Sequence, residues 1–283
     1  IQGESGTGKE MAAQAIHHEY TLFHKHKRTK RAAPFVAVNC TAIPDSLFES
    51  EMFGIEKGVA TGVSARRGLV EEASGGTLFL DELADMSLAN QAKLLRVLES
   101  GEFIKIGETR PTKVDLRIIA ATNRDLEKEI AAGNFREDLY FRLSVFRIQL
   151  PALSQRREDV AEYARYFVGQ FAAKMGKRIE TIDDAYIAAL ERHTWHGNVR
   201  ELRNVVERSL IMADGERLSA DTLSPEFRAG AGAPPDSLAL DALERHHILK
   251  VLEYAKGNKT EAARLLGIGI ATLYRKLESY GVK

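Results

Sequence analysis

The chain has 283 residues, of which 44% are hydrophobic and 28% are charged, a composition typical of globular proteins with room for about two domains. Its 40 basic and 40 acidic residues cancel, so net charge does not draw the whole chain to nucleic acid or to a membrane. No apolar run reaches the roughly 18 residues that a membrane helix needs, and the sequence predicts no signal peptide. The only cysteine, Cys40, excludes an internal disulfide and predicts a cytoplasmic location.

The first ten residues, IQGESGTGKE, fit the phosphate-loop pattern G-x-x-x-x-G-K. Glycines let successive backbone N–H groups face an anion, and the lysine reaches the phosphates. Glu10 stands where the general pattern has a Ser or Thr that binds Mg²⁺. Because the pattern is short, a plain glycine turn is the alternative to a nucleotide site. The strand before the loop is reduced to Ile1 and Gln2, which predicts a fragment of a longer protein. The predicted nucleotide contacts are Gly3, Glu4, Ser5, Gly6, Thr7, Gly8, Lys9 and Glu10.

The stretch GGTLFLDE predicts a buried parallel strand over Leu78–Leu80 that ends in two acids. Asp81 is expected to hold Mg²⁺ through water, and Glu82 to polarise the water that attacks the nucleotide. Taken alone, the pattern also fits a strand that is followed by an exposed acidic turn.

Further strands are predicted at 34–40, 114–123 and 146–151, and helical patterns lie between them. One of these helices places Leu88, Ala92, Leu95 and Leu98 on a common face. Alternating strands and helices predict an α/β fold with a doubly wound parallel sheet, whose ligands gather at the carboxyl ends of the strands. The polar residues at those ends are Asn39, Asp81, Glu82, Thr122 and Asn123.

After Pro151 the pattern becomes helical, with Val160, Ala164, Phe167 and Phe171 on one apolar face. Residues 228–237 contain AGAGAPPDS and predict a linker. Beyond the linker, a helix from Thr260 to Leu266, a turn at Gly267–Gly269 and a helix from Ile270 have the spacing of a helix-turn-helix, although a plain helical hairpin is the alternative.

Residues 238–283 contain eight Lys and Arg and five Asp and Glu, a net charge of +3 that favours contact with DNA phosphates. The predicted contacts with double-stranded DNA are Thr272, Tyr274, Arg275 and Lys276, with Arg275 suited to a guanine edge and Lys276 to a phosphate.

These motifs together resemble the AAA+ ATPase domain of bacterial enhancer-binding proteins, the activators of sigma-54 RNA polymerase. The similarity covers GESGTGKE, GGTLFLDE, AKLLRVLE, IIAATN, FREDLYFRL, GNVREL and the tail NKTEAARLLGI, and Glu10 is usual in this family. The resemblance implies an AAA+ P-loop NTPase parallel sheet (1–150), an all-α lid (151–227), a linker (228–237) and an all-α Fis-type helix-turn-helix domain (238–283). It also implies ATP and Mg²⁺ as cofactors.

By position, the resemblance implies that Asn39 restrains Glu82 and that Thr122 and Asn123 sense the γ-phosphate. Arg200 in the lid would touch the phosphates. Arg136 and Arg142 match arginine fingers that reach the ATP of the next subunit, so a homo-oligomeric ring, a hexamer in this family, is expected. Without the resemblance, both arginines fit ordinary surface ion pairs better.

Family members carry Gly-Ala-Phe-Thr-Gly-Ala in the loop that grips sigma-54, and this chain has Gly58, Val59, Ala60, Thr61, Gly62 and Val63. Replacing an aromatic anchor is expected to weaken such a contact by more than about tenfold. Three hypotheses follow. The favoured one is an ATP-driven activator of sigma-54 RNA polymerase that binds DNA. The second is a DNA-binding regulator that no longer engages sigma-54, and the third, a general AAA+ chaperone or clamp loader, is disfavoured by the helix-turn-helix.

Overall fold

The computed structural model describes residues 1–24, 33–56, 65–228, 244–245, 247–249, 251–252, 255 and 258–280. The chain divides into two compact units, Ile1–Leu218 and Ser219–Lys283. Within the described ranges, no helix combines the length and apolar character needed to cross a membrane. Residues 229–237 of the predicted linker lie outside the description, and the predicted domain boundaries stay predictions.

The first unit contains the sheets and most of the helices. Its strands are β1 (Phe35–Asn39), β2 (Gly54–Ile55), β3 (Arg66–Arg67), β4 (Thr77–Asp81), β5 (Glu102–Phe103), β6 (Thr112–Lys113), β7 (Arg117–Ala120), β8 (Thr181–Ile182) and β9 (Arg217–Leu218). Its helices are α1 (Lys9–His24), α2 (Asp45–Phe53), α3 (Leu69–Glu72), α4 (Leu88–Ser100), α5 (Leu126–Ala131), α6 (Glu137–Leu143), α7 (Glu158–Met175), α8 (Asp184–Arg192) and α9 (Asn198–Met212).

The main sheet is parallel, in the order β1–β4–β7, as the alternation of strands and helices predicts. In its register Asn39 lies opposite Asp81. Gln2 forms parallel bridges with both Thr122 and Gln149, which extends the pairing beyond β7. The carboxyl ends of these segments therefore meet at one edge of the sheet, and the loop after Gln2 leaves from that edge.

Strand β4 holds the two layers of the unit together because its side chains alternate between the two faces of the sheet. Leu78 and Leu80 belong to the larger core, which α2 and α4 cover. Phe79 packs on the opposite face with Ala13 of α1 and with Ile119. Burial on both faces explains the continuous apolar run Leu78–Leu80. Truncating such a side chain to Ala typically costs about 2–5 kcal/mol.

The segment 57–64 lies outside the described residues, and a pair of short strands flanks it. β2 and β3 pair antiparallel on either side of it, and the N–H of Glu56 donates to the carbonyl of Ile106 at 3.0 Å. Close by, Nζ of Lys105 lies 3.0 Å from Oε2 of Glu71, and both side chains are mostly buried. The base of this loop is thus bonded to the segment that follows β5.

Helices α7, α8 and α9 form a helical layer within the first unit, and α7 packs on both of the others. The predicted apolar face of α7 is confirmed, since Val160, Ala164, Phe167 and Phe171 are all buried. Gly176 ends α7 with φ +64° and its N–H bonded to the last turn, the left-handed conformation that favours glycine at a helix end.

In the second unit, the structure gives bounds for α10 (Pro225–Arg228), α11 (Lys259–Leu266) and α12 (Ile270–Ser279), and residues 244–245, 247–249 and 251–252 are also helical. Asn258 caps α11 by accepting the N–H of Thr260 at 3.1 Å, and Gly267 ends it with φ +65°. The predicted pair of helices and the turn between them are confirmed. A small core fixes the pair and consists of Ile248, Ala262, Ala263, Leu273 and Leu277.

Candidate active site

The loop from Gly3 to Gly8 connects the edge of the sheet to α1. Gly6 has φ +79° and Gly8 has φ +100°, conformations that side chains disfavour, and the hydroxyl of Thr7 donates to the carbonyl of Glu4 at 2.8 Å. A chain curled in this way ahead of a helix N-terminus presents backbone N–H groups and a positive dipole end to an anion.

Lys9 begins α1 and is only 6% exposed, which is unusual for a lysine unless its charge is paired. Its ammonium donates to the carbonyls of Gly3 at 3.0 Å and of Glu4 at 3.2 Å. These bonds hold the charge against the loop, where it adds to the electrostatic attraction for phosphate. Glu10, the next residue, is exposed and lines the cavity that the phosphate loop borders.

The two acids that end β4 occupy different environments. Oδ1 of Asp81 accepts the N–H of Glu82 at 3.1 Å. Glu82 itself has φ +52° and ψ +46°, a left-handed conformation that is strained for a residue with a side chain and that often marks a functional site. Oε2 of Glu82 is buried and has no hydrogen-bond partner among the described residues. An acceptor in this position is suited to orient a water molecule.

The polar residues at the other strand ends lie at the same edge of the sheet. Thr122 is buried, and its carbonyl accepts the N–H of Gly3 at 3.2 Å, so it borders the loop directly, while Asn123 beside it is exposed. Asn39 lies opposite Asp81, but its Oδ1 accepts both the N–H and the hydroxyl of Thr41, at 3.0 and 2.7 Å. The predicted restraint of Glu82 by Asn39 stays a prediction.

The start of α9 lies against the phosphate loop. A Cβ at Gly6 would lie 2.3 Å from the carbonyl oxygen of Gly197, so only glycine allows this approach. The backbone N–H of Arg200 donates to the carbonyl of Gly6 at 3.3 Å, and its guanidinium donates to Oγ of Ser5 at 3.0 Å. The structure thus brings Arg200 to the predicted site.

Two further polar residues at this junction were missed by the sequence analysis. Asn198 is fully buried with φ +53°, and its side-chain nitrogen donates to the carbonyl of Ser5 at 3.0 Å. Arg156 is mostly buried and donates to the carbonyl of Thr7 at 3.1 Å. Both occur in stretches that were noticed, Asn198 within GNVREL and Arg156 just after Pro151, but the sequence around each is itself polar, so nothing local signalled their burial.

Together these elements enclose a cavity of about 910 Å³, within the range of small-molecule sites. Its principal lining residues are Ser5, Gly6, Thr7, Gly8, Lys9, Glu10, Asp81, Glu82, Arg156 and Arg200. Among the residues that the structure describes, no group of three or more His, Cys, Asp or Glu could hold a metal ion. One carboxylate beside a phosphate loop nevertheless fits Mg²⁺, which is usually bound by one or two carboxylates together with substrate phosphates.

The two candidate arginine fingers lie around α6, away from that cavity. Arg136 precedes α6 and pairs with Asp138 at 2.6 and 3.0 Å, and these hydrogen bonds lower the pKa of Asp138. Arg142 is exposed and donates to the carbonyl of Leu98 at 2.9 and 3.2 Å. Each guanidinium is held at the protein surface by these contacts, and neither lines the cavity.

The predicted sigma-54 loop, Gly58, Val59, Ala60, Thr61, Gly62 and Val63, lies outside the described residues. In the second unit, Tyr274 and Arg275 are exposed on α12, and Thr272 is half-buried. Lys276 is also half-buried and pairs with Glu244 at 2.6 Å, so the structure gives it a bond within its own domain. A residue that was not predicted, Lys259, places Nζ 4.9 Å from the centre of the Tyr274 ring.

Family models match three successive parts of the chain. Residues 1–149 match the family described as the sigma-54 interaction domain, which is more than half of the chain. This chain belongs to the sigma-54 interaction domain family. Residues 154–239 match the AAA+ ATPase lid domain, and residues 239–280 match the Fis family of bacterial regulatory proteins.

The chain spans slightly less than two thirds of the length of the relatives that it matches. The regulatory protein AtoC of Escherichia coli K12 is 44% identical over 100% of this chain and 62% of its own length. The DNA-binding transcriptional regulator NtrC of Proteus hauseri is 42% identical over 100% of this chain and 64% of its own length. The crystal structure of NtrX from Brucella abortus in complex with ATP has a TM-score of 0.69 and 40% identity, over 100% of this chain and 63% of that one.

Proposed function

We propose that this chain is the ATP-hydrolysing and DNA-binding part of a sigma-54-dependent transcription activator. The observation that carries the proposal is the cavity in which the phosphate loop, Asp81, Glu82 and Arg200 converge, in a chain whose residues 1–149 match the sigma-54 interaction domain. Hydrolytic residues arranged in this way favour an enzyme over a protein that only binds DNA.

ATP would lie with its phosphates on the N–H groups of the loop from Gly3 to Gly8, where Lys9 adds a positive charge. Asp81 would hold Mg²⁺, which when bound neutralises charge that develops on the phosphates. Glu82 orients and deprotonates the attacking water through its buried oxygen, since that acceptor has no competing partner among the described residues. Arg200 reaches the phosphates from the helical layer.

Thr122 and Asn123 would report the presence of the γ-phosphate to the sheet. The support for this role is the bond between the carbonyl of Thr122 and the N–H of Gly3, which places the residue against the phosphate loop. Asn39 would engage Glu82 only after the side chain of Asn39 breaks its hydrogen bonds to Thr41.

Arg136 and Arg142 would act on the ATP of a neighbouring subunit in a homo-oligomeric ring, with six subunits as the expected number. Support comes from their position, because both are held at the surface around α6 and neither lines the cavity of its own subunit. A trans-acting arginine contributes about 10³- to 10⁵-fold to such rates, so hydrolysis should depend steeply on protein concentration.

Sigma-54 RNA polymerase would be the partner remodelled by the ring, through the loop from Gly58 to Val63. The second unit would anchor the protein on double-stranded DNA through α12. The net charge of +3 over residues 238–283 and the exposed Arg275 support this role.

The test is capture of purified sigma-54 by the protein in the presence of ADP and a metal fluoride that imitates the transferring phosphate. Capture should require the mimic and should be lost in Thr61→Ala, while Ala60→Phe should preserve or tighten it. ATPase activity that depends on protein concentration should accompany capture.

One result would favour the alternative function. If neither the parent nor Ala60→Phe captures sigma-54 while ATP hydrolysis is normal, the protein is a DNA-binding regulator whose AAA+ domain serves another partner. The specific reason to keep this alternative is Ala60, which stands where family members carry an aromatic residue.

A further inference from the structure

Gln91 lies on α4 and is fully buried, with 0% exposure. Its side-chain nitrogen donates to the carbonyls of Met86 at 2.8 Å and of Asn134 at 3.0 Å, and its Oε1 accepts the backbone N–H of Arg136 at 2.8 Å. Both donors of the amide and its oxygen are therefore bonded to backbone atoms. A buried amide satisfied in this way fixes its partners, because breaking any one bond leaves a polar group unpaired at a cost of about 1–3 kcal/mol.

The three bonds join two segments that perform different tasks. Met86 ends the turn after Glu82, in which the N–H of Asp85 donates to the carbonyl of Glu82 at 3.0 Å and the N–H of Met86 to that of Leu83 at 3.2 Å. Asn134 and Arg136 precede α6. Gln91 is thus the link between the turn that carries Glu82 and the backbone from which Arg136 projects.

The bond from the N–H of Arg136 to Oε1 of Gln91 affects the direction in which the Arg136 side chain projects. Arg136 stands at the N-cap position of α6 with extended backbone angles, so its N–H is outside the helical bonding pattern and is held instead by Gln91. Asp138 holds the guanidinium at the other end of the side chain. The backbone anchor and the ion pair together define where the positive charge is presented.

We propose that Gln91 is a positioning residue for Arg136, which aims this arginine at the nucleotide of the neighbouring subunit and couples it to the turn that follows Glu82. The inference rests on the proposed role of Arg136 in a ring. Gln91 acts only through Arg136 and Met86 and touches no reacting atom.

The chain offers a matched control in Asn90, the preceding residue of α4. Asn90 is also a buried amide, 4% exposed, but its nitrogen donates to Asp45 of α2 at 2.9 Å and makes no bond to the segment of Arg136. Gln91→Met and Asn90→Leu each remove one buried amide from the same helix. Gln91→Glu serves as a second variant of unchanged shape. It removes the donors to Met86 and Asn134 but keeps an acceptor for the N–H of Arg136, so it tests the coupling to the turn that follows Glu82 if Gln91→Met folds poorly.

The experiment measures ATPase kcat and KM, together with ring assembly by light scattering. Gln91→Met and Gln91→Glu should lower kcat by about tenfold or more with KM within about threefold, because misplacing a catalytic group by about 1 Å costs about this much or more. Asn90→Leu should keep kcat within about threefold of the parent. If Gln91→Met assembles and keeps its kcat within about threefold, the proposal is overturned. If Gln91→Glu does so, the proposed coupling to the turn that follows Glu82 is overturned, because this variant loses only the donors to Met86 and Asn134.

A mixing assay separates an effect on the neighbour from an effect on the subunit's own site. Glu82→Gln subunits lack a working site but carry Gln91 and Arg136 intact, so mixing them with Gln91→Met subunits should raise activity above the sum of the two separate preparations. Mixtures of Glu82→Gln with Arg136→Ala provide the reference. Rescue of Arg136→Ala without rescue of Gln91→Met would overturn the role of Gln91 alone. If neither Arg136→Ala nor Gln91→Met is rescued, Arg136 does not act on the neighbouring subunit, and the proposed role of Gln91 is overturned as well.

Discussion

The side-chain nitrogen of Asn198 lies 3.0 Å from Oε2 of Glu4, across 194 positions of the chain. The same nitrogen donates to the carbonyl of Ser5, and Oδ1 accepts the N–H of Leu153 at 2.7 Å. The first residue of α9 is therefore bonded to the phosphate loop and to the segment that leads into α7. Arg200, two residues further along α9, is held near Ser5 by this attachment.

Asn198→Asp is expected to weaken ATP binding, because it places a second carboxylate against Glu4 and removes both donors. We expect Kd to rise by about tenfold, which corresponds to about 1.4 kcal/mol. Titration calorimetry with a non-hydrolysable ATP analogue measures the change. Glu4→Gln in the same chain restores a donor at position 4 and should recover most of the affinity. A double variant as weak as Asn198→Asp would show that the Glu4 contact is not the cause.

Gly6→Ala is expected to destabilise the protein more than Gly75→Ala does. Both glycines have φ near +80°, but a Cβ at Gly6 would lie 2.3 Å from the carbonyl oxygen of Gly197, whereas nothing lies within 4 Å at Gly75. Each variant should lose about 1 kcal/mol to backbone strain, and Gly6→Ala a further 1–3 kcal/mol or so to the clash. Urea unfolding gives both free energies, and equal losses would contradict the close approach of Gly197.

Glu82→Gln is expected to separate binding from hydrolysis. The amide keeps the size of the side chain but cannot accept a proton, so kcat should fall by about 10²- to 10⁴-fold while Kd for ATP stays within about threefold. Asp85→Asn is the control, since Asp85 lies in the same turn and pairs with Arg124. If the two variants lose similar activity, then hydrolysis depends on the negative charge of the turn and not on Glu82 as the base.

The thiol of Cys40 is expected to resist alkylation in the folded protein. Burial raises the pKa of Cys40 to about 12, and the nearby carboxylate of Asp81 adds to the effect. Because the thiolate is the reactive form, iodoacetamide at pH 8 should modify the native protein far more slowly than the urea-unfolded protein. Mass spectrometry over a time course measures both rates. Comparable rates would indicate that the carboxyl edge of β1 opens readily.

Arg275→Ala is expected to weaken binding to a duplex selected by the parent protein from a random pool. Loss of a guanine contact should lower the affinity by about tenfold. Arg264→Ala is the control, because Arg264 is also an exposed arginine of the helix pair but is bonded to Glu261 at 2.6 and 3.0 Å. Fluorescence anisotropy at fixed salt compares them, and equal weakening would mean that Arg275 contributes only general charge.

The sequence was sufficient to predict those helices and strands that neighbouring residues along the chain determine. The buried run before Asp81 predicted β4, and spacing at three and four residues predicted the buried face of α7. Two other strands were expected to be longer than they are. The strand expected at 114–123 is only Arg117–Ala120, and at 146–151 the described pairing is the bridge of Gln149 with Gln2. Strand length depends on which neighbours are available, which periodicity does not reveal.

The face assigned to α4 shows the same limit. Leu88 was expected on the apolar face of the helix but is 46% exposed, whereas Gln91 on that side of the helix is fully buried. A polar residue is assigned to the surface by default, and only the carbonyls and N–H of the packed segments reveal why burial is tolerated. The bond between Asn198 and Glu4 was equally hidden, because a motif indicates residue type and not the partner 194 positions away.

The contacts of helix α4 limit the insertions and deletions that the protein tolerates. Gln91 holds the backbone of Arg136, and the carbonyl of Leu98 holds the guanidinium of Arg142. These attachment points are seven residues apart, close to two helical turns and about 10.5 Å along the axis. Adding or removing one residue between them would rotate one attachment by about 100° relative to the other. Natural and engineered relatives should therefore vary the side chains of this span while keeping its number of residues constant.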